Sequence, residues 1–195
     1  VNLVVLVKPL ASELLVKAEA AMRHVRSTDQ SETPDVEEIS AAAQETIEKR
    51  MDRALTVQRF LLVLDAFPAG RIKLPRSPLS AVVSITYLGG DGVSQTLGSS
   101  AYRANADGRP STIEPAYGTS WPATLPVAGA VRVTYDAGHG EDRPAPSCAV
   151  QAIKLLIGHW YENREAVVNG TISSQVDLAV EALINSDKIV AEYDQ

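Results

Sequence analysis

The sequence predicts an α+β protein: a small helical bundle that carries a β-rich insertion and a C-terminal extension. Three observations lead there. Residues roughly 10–55 and 145–168 repeat apolar side chains every three or four positions, which is the helical period. Between these zones the period falls to two, and most of the prolines and glycines gather there, as short strands joined by turns require. Neither outer zone can bury its apolar stripe alone, so the two must pack together across the insertion. The expected segments are 1–55 for the N-terminal helices, 56–140 for the insertion, 141–170 for a further bundle helix and 171–195 for the extension.

The first helix is expected around Leu10, Leu14, Ala18, Ala21 and Val25, which share one helical face. The polar run RSTDQSET then reads as a loop. Thr33 followed by Pro34 looks like an N-cap with proline at the first helical position. Asp35, Glu37 and Glu38 complement the dipole of that helix, and Val36, Ile39, Ala43, Ile47, Met51 and Ala54 form its buried stripe. In RFLLVLDAF, Phe60, Leu62 and Leu64 fall on one side of an extended chain and Arg59, Leu61 and Val63 on the other. AVVSITYL is β-branched and strand-like. GGDG, Gly89 to Gly92, supplies the positive-φ residues of a hairpin leading into VSQTL. AVRVTYDAG is a last strand ended by glycine. Pro146 opens a helix whose face runs through Val150, Ile153, Leu156 or Ile157, and Trp160. After the break at Gly170, Val176, Val180, Leu183 and Ile184 form an amphipathic segment, followed by KIVAEY.

The chain has 195 residues, 45% of them hydrophobic, enough for one good-sized core or two small ones. Its net charge of −6 argues against a nucleic-acid binder acting by bulk electrostatics. Lys and Arg outnumber acids across 56–136, which reads as scattered surface charge before it reads as a polyanion-binding face. Cys148 is the sole cysteine, so no intrachain disulfide is possible. The opening VNLVVLVKPL has no basic region before its apolar residues and does not read as a secretory signal. No run reaches the roughly 18 apolar residues of a membrane span, and no membrane partner is expected. The tail from Asp177 carries five acids against one lysine.

Catalytic motifs are missing. The sequence contains no phosphate-binding glycine loop, no nucleophile elbow and no HExxH. His139 lies in YDAGHGED beside Asp136, Glu141 and Asp142, but those acids have no recognisable ligand spacing, and a solvated turn is the better reading. No cofactor and no metal are expected. In HWYENREA, Trp160 and Arg164 are four apart, His159 meets Glu162 and Asn163, and Tyr161 meets Glu165. This reads as a helix end with Trp160 in the core, where His159, Trp160, Arg164 and Glu165 make helix-end or inter-subunit contacts. A small hydrolase or metal enzyme built on His139 or His159 is the competing, less favoured reading.

Several stretches carry a resemblance. RALTVQRFLLVLDAFP (Arg53–Pro68), IKLPRSPLSAVVSITYLGGDG (Ile72–Gly92), YGTSWPATLPVAGAVRVTYDAGHG (Tyr117–Gly140) and AIKLLIGHWYENREAV (Ala152–Val167) stand in the order found in phage head–tail connector (adaptor) proteins, in the branch with a β-rich insertion. RMDRAL lacks the glycine that often precedes the arginine in that family. The resemblance implies a structural protein forming a typically dodecameric ring. Such a ring docks on the portal protein, extends the DNA channel and offers a platform to the next tail component, a stopper or tail terminator. It implies a place in the neck of a phage, prophage-encoded or gene transfer agent particle, assembled in the bacterial cytoplasm. It also implies a portal-binding C-terminal segment, here Val176, Val180, Leu183, Ile184, Ile189, Val190 and Tyr193. Double-stranded DNA would pass an acidic lumen without specific binding, because like charge lets it slide. A ring-forming tail-completion protein that never touches the portal shares every feature short of the family motifs.

Overall fold

The computed structural model describes residues 3–9, 14–163 and 174–188. The described chain is α+β, as expected: four α-helices and two antiparallel sheets. Its first strand, β1 (Leu3–Pro9), lies in a stretch assigned from sequence to the helical half. The β-branched, alternating run LVVLVKP finds a partner in β2 (Gln58–Leu64), pairing Val5 with Leu61 and Leu6 with Phe60. The first helix, α1 (Ala18–Val25), begins later than the Leu14 spacing suggests. Gln44 Oε1 accepts from the Leu15 backbone N–H at 2.8 Å and ties the incoming chain to the next helix before α1 starts.

That next helix is α2 (Thr33–Met51). Proline sits in its first turn, as read from the sequence, but Thr33 is already helical and caps nothing. Capping falls upstream instead, where Asp29 accepts from the Ser31 N–H at 2.9 Å to start a short 3-10 turn. Val36, Ala43, Ile47 and Met51 are fully buried along the expected stripe. The helix ends at Asp52, which takes the left-handed conformation (φ 50) usually given to glycine. This is the position where the connector pattern lacks its glycine, and the chain still turns there at a steric cost an aspartate tolerates better than most residues.

The insertion follows as β2, β3 (Ile72–Leu74), β4 (Leu79–Leu88), β5 (Ser94–Thr96), β6 (Tyr102–Asn105), β7 (Ser111–Pro115) and β8 (Val131–Ala137). The strands form one sheet in the order β1-β2-β8-β4-β5 and a second in the order β3-β7-β6. In β2, Phe60, Leu62 and Leu64 face the core and the intervening residues do not, as the period of two requires. The GGDG turn closes the β4–β5 hairpin, with Gly92 at φ 75 and its N–H bonded to the Gly89 carbonyl. Gly138 ends β8 at φ 134, and a β-carbon there would lie 2.1 Å from the Thr56 carbonyl oxygen, so only glycine fits.

Two cores result. One sits among α1, α2, α3 (Ser147–Glu162) and α4 (Ser174–Ile184) and contains Ile47, Met51, Ile153, Leu156, Ile157, Val180 and Ile184. The other is built on the sheets around Phe60, Leu62, Ile85, Ile113, Val133 and Tyr135. They meet where α2 reverses into β2. There Glu48 accepts from the Leu55 N–H (2.8 Å) and from Gln58 (3.0 Å), and Arg76 donates to the Glu48 backbone carbonyl (2.9 Å). Burial raises the Glu48 carboxyl above its ordinary value, although these donors work to lower it.

Candidate functional site

The densest polar chemistry lies at the joint between the two cores. Arg53, one residue past the left-handed Asp52, has a side chain only 5% exposed. It reaches Asp187, which follows α4, at 3.4 Å through Nη1. Its Nη2 lies 3.2 Å from His139 Nε2, in the loop between β8 and α3. A guanidinium has no acceptor, so Nε2 must accept. His139 Nδ1 lies 3.3 Å from the Arg143 carbonyl and so carries the proton. His139 is therefore a neutral imidazole held between two fixed partners. Burial and the Arg53 charge both keep its proton affinity below the ordinary histidine value.

Asp187 gathers two further groups. Arg109, from the loop between β6 and β7, binds it at 3.0 Å, and the Cys148 thiol at the start of α3 donates to it at 3.4 Å. Burial alone would raise this carboxyl, but the Cys148 hydrogen bond and the charges of Arg53 and Arg109 hold it below its ordinary value. Burial and the Asp187 carboxylate push the Cys148 thiol up, away from the reactive thiolate. Arg53, Arg109, His139, Arg143 and Asp187 line a cleft of about 360 Å³. The Nε–H of Arg53 is buried with no hydrogen-bond partner among the described residues, a cost of about 1–3 kcal/mol that its Nη contacts must offset.

What this arrangement does is hold elements together. Among the described residues, the groups bonded to His139 are a guanidinium and backbone carbonyls. Asp136, once a candidate ligand beside it, is held by Arg59 through two bonds of 2.7 and 2.9 Å. Among the described residues no three histidine, cysteine or acidic side chains converge as a metal site. Also among the described residues, no helix is long and apolar enough to cross a membrane.

The chain has the fold of a gene transfer agent neck chain. The whole architecture superposes on a chain in the neck of an empty gene transfer agent particle computed with C6 symmetry, at a TM-score of 0.76 and 23% identity, covering 99% of this chain and 98% of that one. A chain in the neck of a native gene transfer agent particle computed with C12 symmetry gives 0.72 at 23% identity, covering 98% of each. The virion of a native gene transfer agent particle gives 0.74 at 22%, covering 96% and 97%. No family model and no curated protein matches the chain.

The residues singled out from the sequence scatter across this fold. His159 and Trp160 close α3. Trp160 packs partly buried against the helical core, and Asn163 Nδ2 donates to the His159 carbonyl at 2.8 Å. Tyr161 donates instead to Glu32 at 2.5 Å, fastening α3 to the start of α2. Arg164 and Glu165 lie outside the described residues. So do Ile189, Val190 and Tyr193. Val180 and Ile184 are fully buried, and Val176 and Leu183 pack partly buried beside them. α4 turns this apolar stripe onto α3 and the rest of the bundle. Arg50 of α2 pins the helix there, at 2.6 Å from Asp177 and 3.6 Å from Glu181. Sequence reasoning missed Arg53, Asp187 and Arg109 altogether. A lone arginine after a helix end and an acid in an acidic tail carry no local signal of pairing.

Proposed function

We propose that the protein is a structural head–tail adaptor. Copies form a ring that docks on the portal protein of a phage or phage-like particle, extends the DNA channel and gives the stopper or tail terminator a platform. The observation that carries this reading is the whole-chain likeness to a gene transfer agent neck chain, which spans bundle and sheets together. The C6 and C12 symmetries of those necks support a closed homo-oligomeric ring. The role is mechanical rather than catalytic: His139 is engaged in holding Arg53, and the other conspicuous polar groups join one element to the next. The particle neck is then its place of work, after assembly in the bacterial cytoplasm.

Double-stranded DNA passes through the lumen without specific binding. Asp177, Glu181 and Asp187 are already paired with Arg50, Arg53 and Arg109, so a repelling lumen would draw its negative charge from other acids. Because the bundle covers the apolar face of α4, portal binding falls to the chain after Lys188, with Ile189, Val190 and Tyr193 as its apolar residues. Burial of Val180 and Ile184 equally favours the second reading, a tail-completion ring that does not touch the portal. Deleting residues 189–195 separates the two. The truncated chain is expected to keep its melting profile and lose co-sedimentation with portal. Unchanged portal binding would place the anchor elsewhere, and absence of the protein from the necks of purified particles would overturn the adaptor reading.

A further inference from the structure

β1 ends the five-stranded sheet, and among the described residues no strand pairs with its outer edge. Val5, Leu6 and Val7 are 41%, 52% and 52% exposed. Successive strand residues point to opposite faces, so apolar surface is uncovered on both sides of this edge at once. The face carrying Val5 continues onto Leu61 and Val63 of β2, both only half-buried. Proteins usually blunt an edge by making it short, charged or proline-bearing. The far end of the same sheet does so: β5 is three residues, Ser-Gln-Thr, all exposed and polar. β1 runs seven residues, and its one charge and one proline, Lys8 and Pro9, come only after a bulge at Val7.

A second apolar edge lies beside β5. That strand covers β4 only from Thr86 to Leu88. N-terminal to this, Ser80, Ala81 and Val83 are exposed, Val83 at 44%. Ser80 and Val83 are the extra residues of two bulges in the pairing of β4 with β8, which push them out of the ladder.

We propose that neighbouring copies of this chain join head to tail by laying β1 of one on the open edge of β4, Ser80 to Ser84, of the next. The inference rests on the ring reading above and names its contact. A rotationally closed ring needs two different surfaces on every copy, and this sheet carries one on each of its two opposite edges. Main-chain bonds supply the join, and Val5, Leu6 and Val7 against Ala81 and Val83 supply its apolar cover. The bulges keep the matched run short, which suits a contact repeated around a ring.

Paired cysteines test it. In a Cys148→Ser background, Leu6→Cys and Val83→Cys are placed on the same chain, and assembled protein with its portal is oxidised. A ladder of cross-linked multimers is expected from the double variant and none from either single variant. Separately, Val5→Lys with Val7→Lys, both on exposed positions, is expected to keep the melting profile and lose the assembled species. Dimers from Leu6→Cys alone would mean that two β1 strands pair with each other, and would overturn the head-to-tail contact. Rings that form normally with no ladder, and survive the two lysines, would overturn the β1 contact while leaving the ring reading standing. A wild-type chain that stays monomeric with and without portal would end both.

Discussion

The helical bundle and the large sheet treat their apolar surface in opposite ways. In the bundle, every helix turns its stripe inward, and even the last one, α4, buries Val180 and Ile184 completely against the others. In the sheet, Phe60, Leu62 and Tyr135 are just as well covered, but β1 leaves Val5, Leu6 and Val7 uncovered at the margin. Among the described residues the first region covers its main stripes within one chain, leaving only the scattered Leu155 and Leu178 of its large apolar side chains exposed. The second is complete only in its middle. The difference teaches where to look for scaffold and where for assembly: the bundle fixes shape, and the sheet margin is free to bind. Between them, Arg53, His139 and Asp187 form a joint that makes each region depend on the other's position.

Substitutions can break or sharpen this contrast. The largest effect is expected in the bundle: Leu156→Ala removes a fully buried side chain and should cost about 2–5 kcal/mol in a denaturant melt. Val5→Ala at the margin should barely move the same melt, and equal losses at the two sites would erase the distinction between complete and incomplete cores. Next comes the joint. Arg53→Ala leaves the Asp187 carboxylate with Arg109 and the Cys148 thiol and strips His139 of a donor, for a loss on the order of 3 kcal/mol. If the joint couples the regions, near-ultraviolet circular dichroism and far-ultraviolet melting should then separate into two transitions; a single shared transition would show that they are coupled without it.

A smaller effect is expected at the far end of the sheet. Phe67 stacks on Trp121 with centroids 4.9 Å apart and planes within 6°, and Trp121 Nε1–H donates to the Gly70 carbonyl at 2.6 Å. Trp121→Ala should cost about 1–2 kcal/mol, from the lost aromatic pair and hydrogen bond. The bundle signal should be untouched if that end is remote from the joint. The smallest effect is one of pH. His139 is held below its ordinary value of 6.5, so the unfolded chain takes up the proton first. The histidine therefore adds stability above about 6.5 that is lost as the pH falls below it. Wild type should lose more stability between neutral and mildly acidic pH than His139→Gln does. Parallel curves for the two proteins would show that the folded chain protonates this imidazole as readily as the unfolded one.

Much of the fold was legible because it is written in local periods. The stripe from Val36 to Met51 appears as a helix, the alternation from Phe60 to Leu64 as a strand, and GGDG as the hairpin turn. β1 was not legible as a sheet member, since LVVLV is too short to declare its period and its partner lies more than fifty residues away. The amphipathic character of α4 was readable, but nothing local says whether the covering surface belongs to the same chain or another. The candidate joint was invisible for the same reason. Arg53 and Asp187 are 134 positions apart, and only the path of the chain brings them together.

The sequence by itself determined, β1 apart, where the chain is helical and where extended, which side chains want burial, and that no recognisable catalytic motif is present. These follow from steric and solvation preferences that act over a few residues. Tertiary structure decided which apolar faces meet inside the chain, which sheet edges stay open, and that a buried arginine, a neutral histidine and one tail carboxylate should lock two cores together. Those outcomes depend on distances between remote segments, and packing sets such distances only when the whole chain is in place.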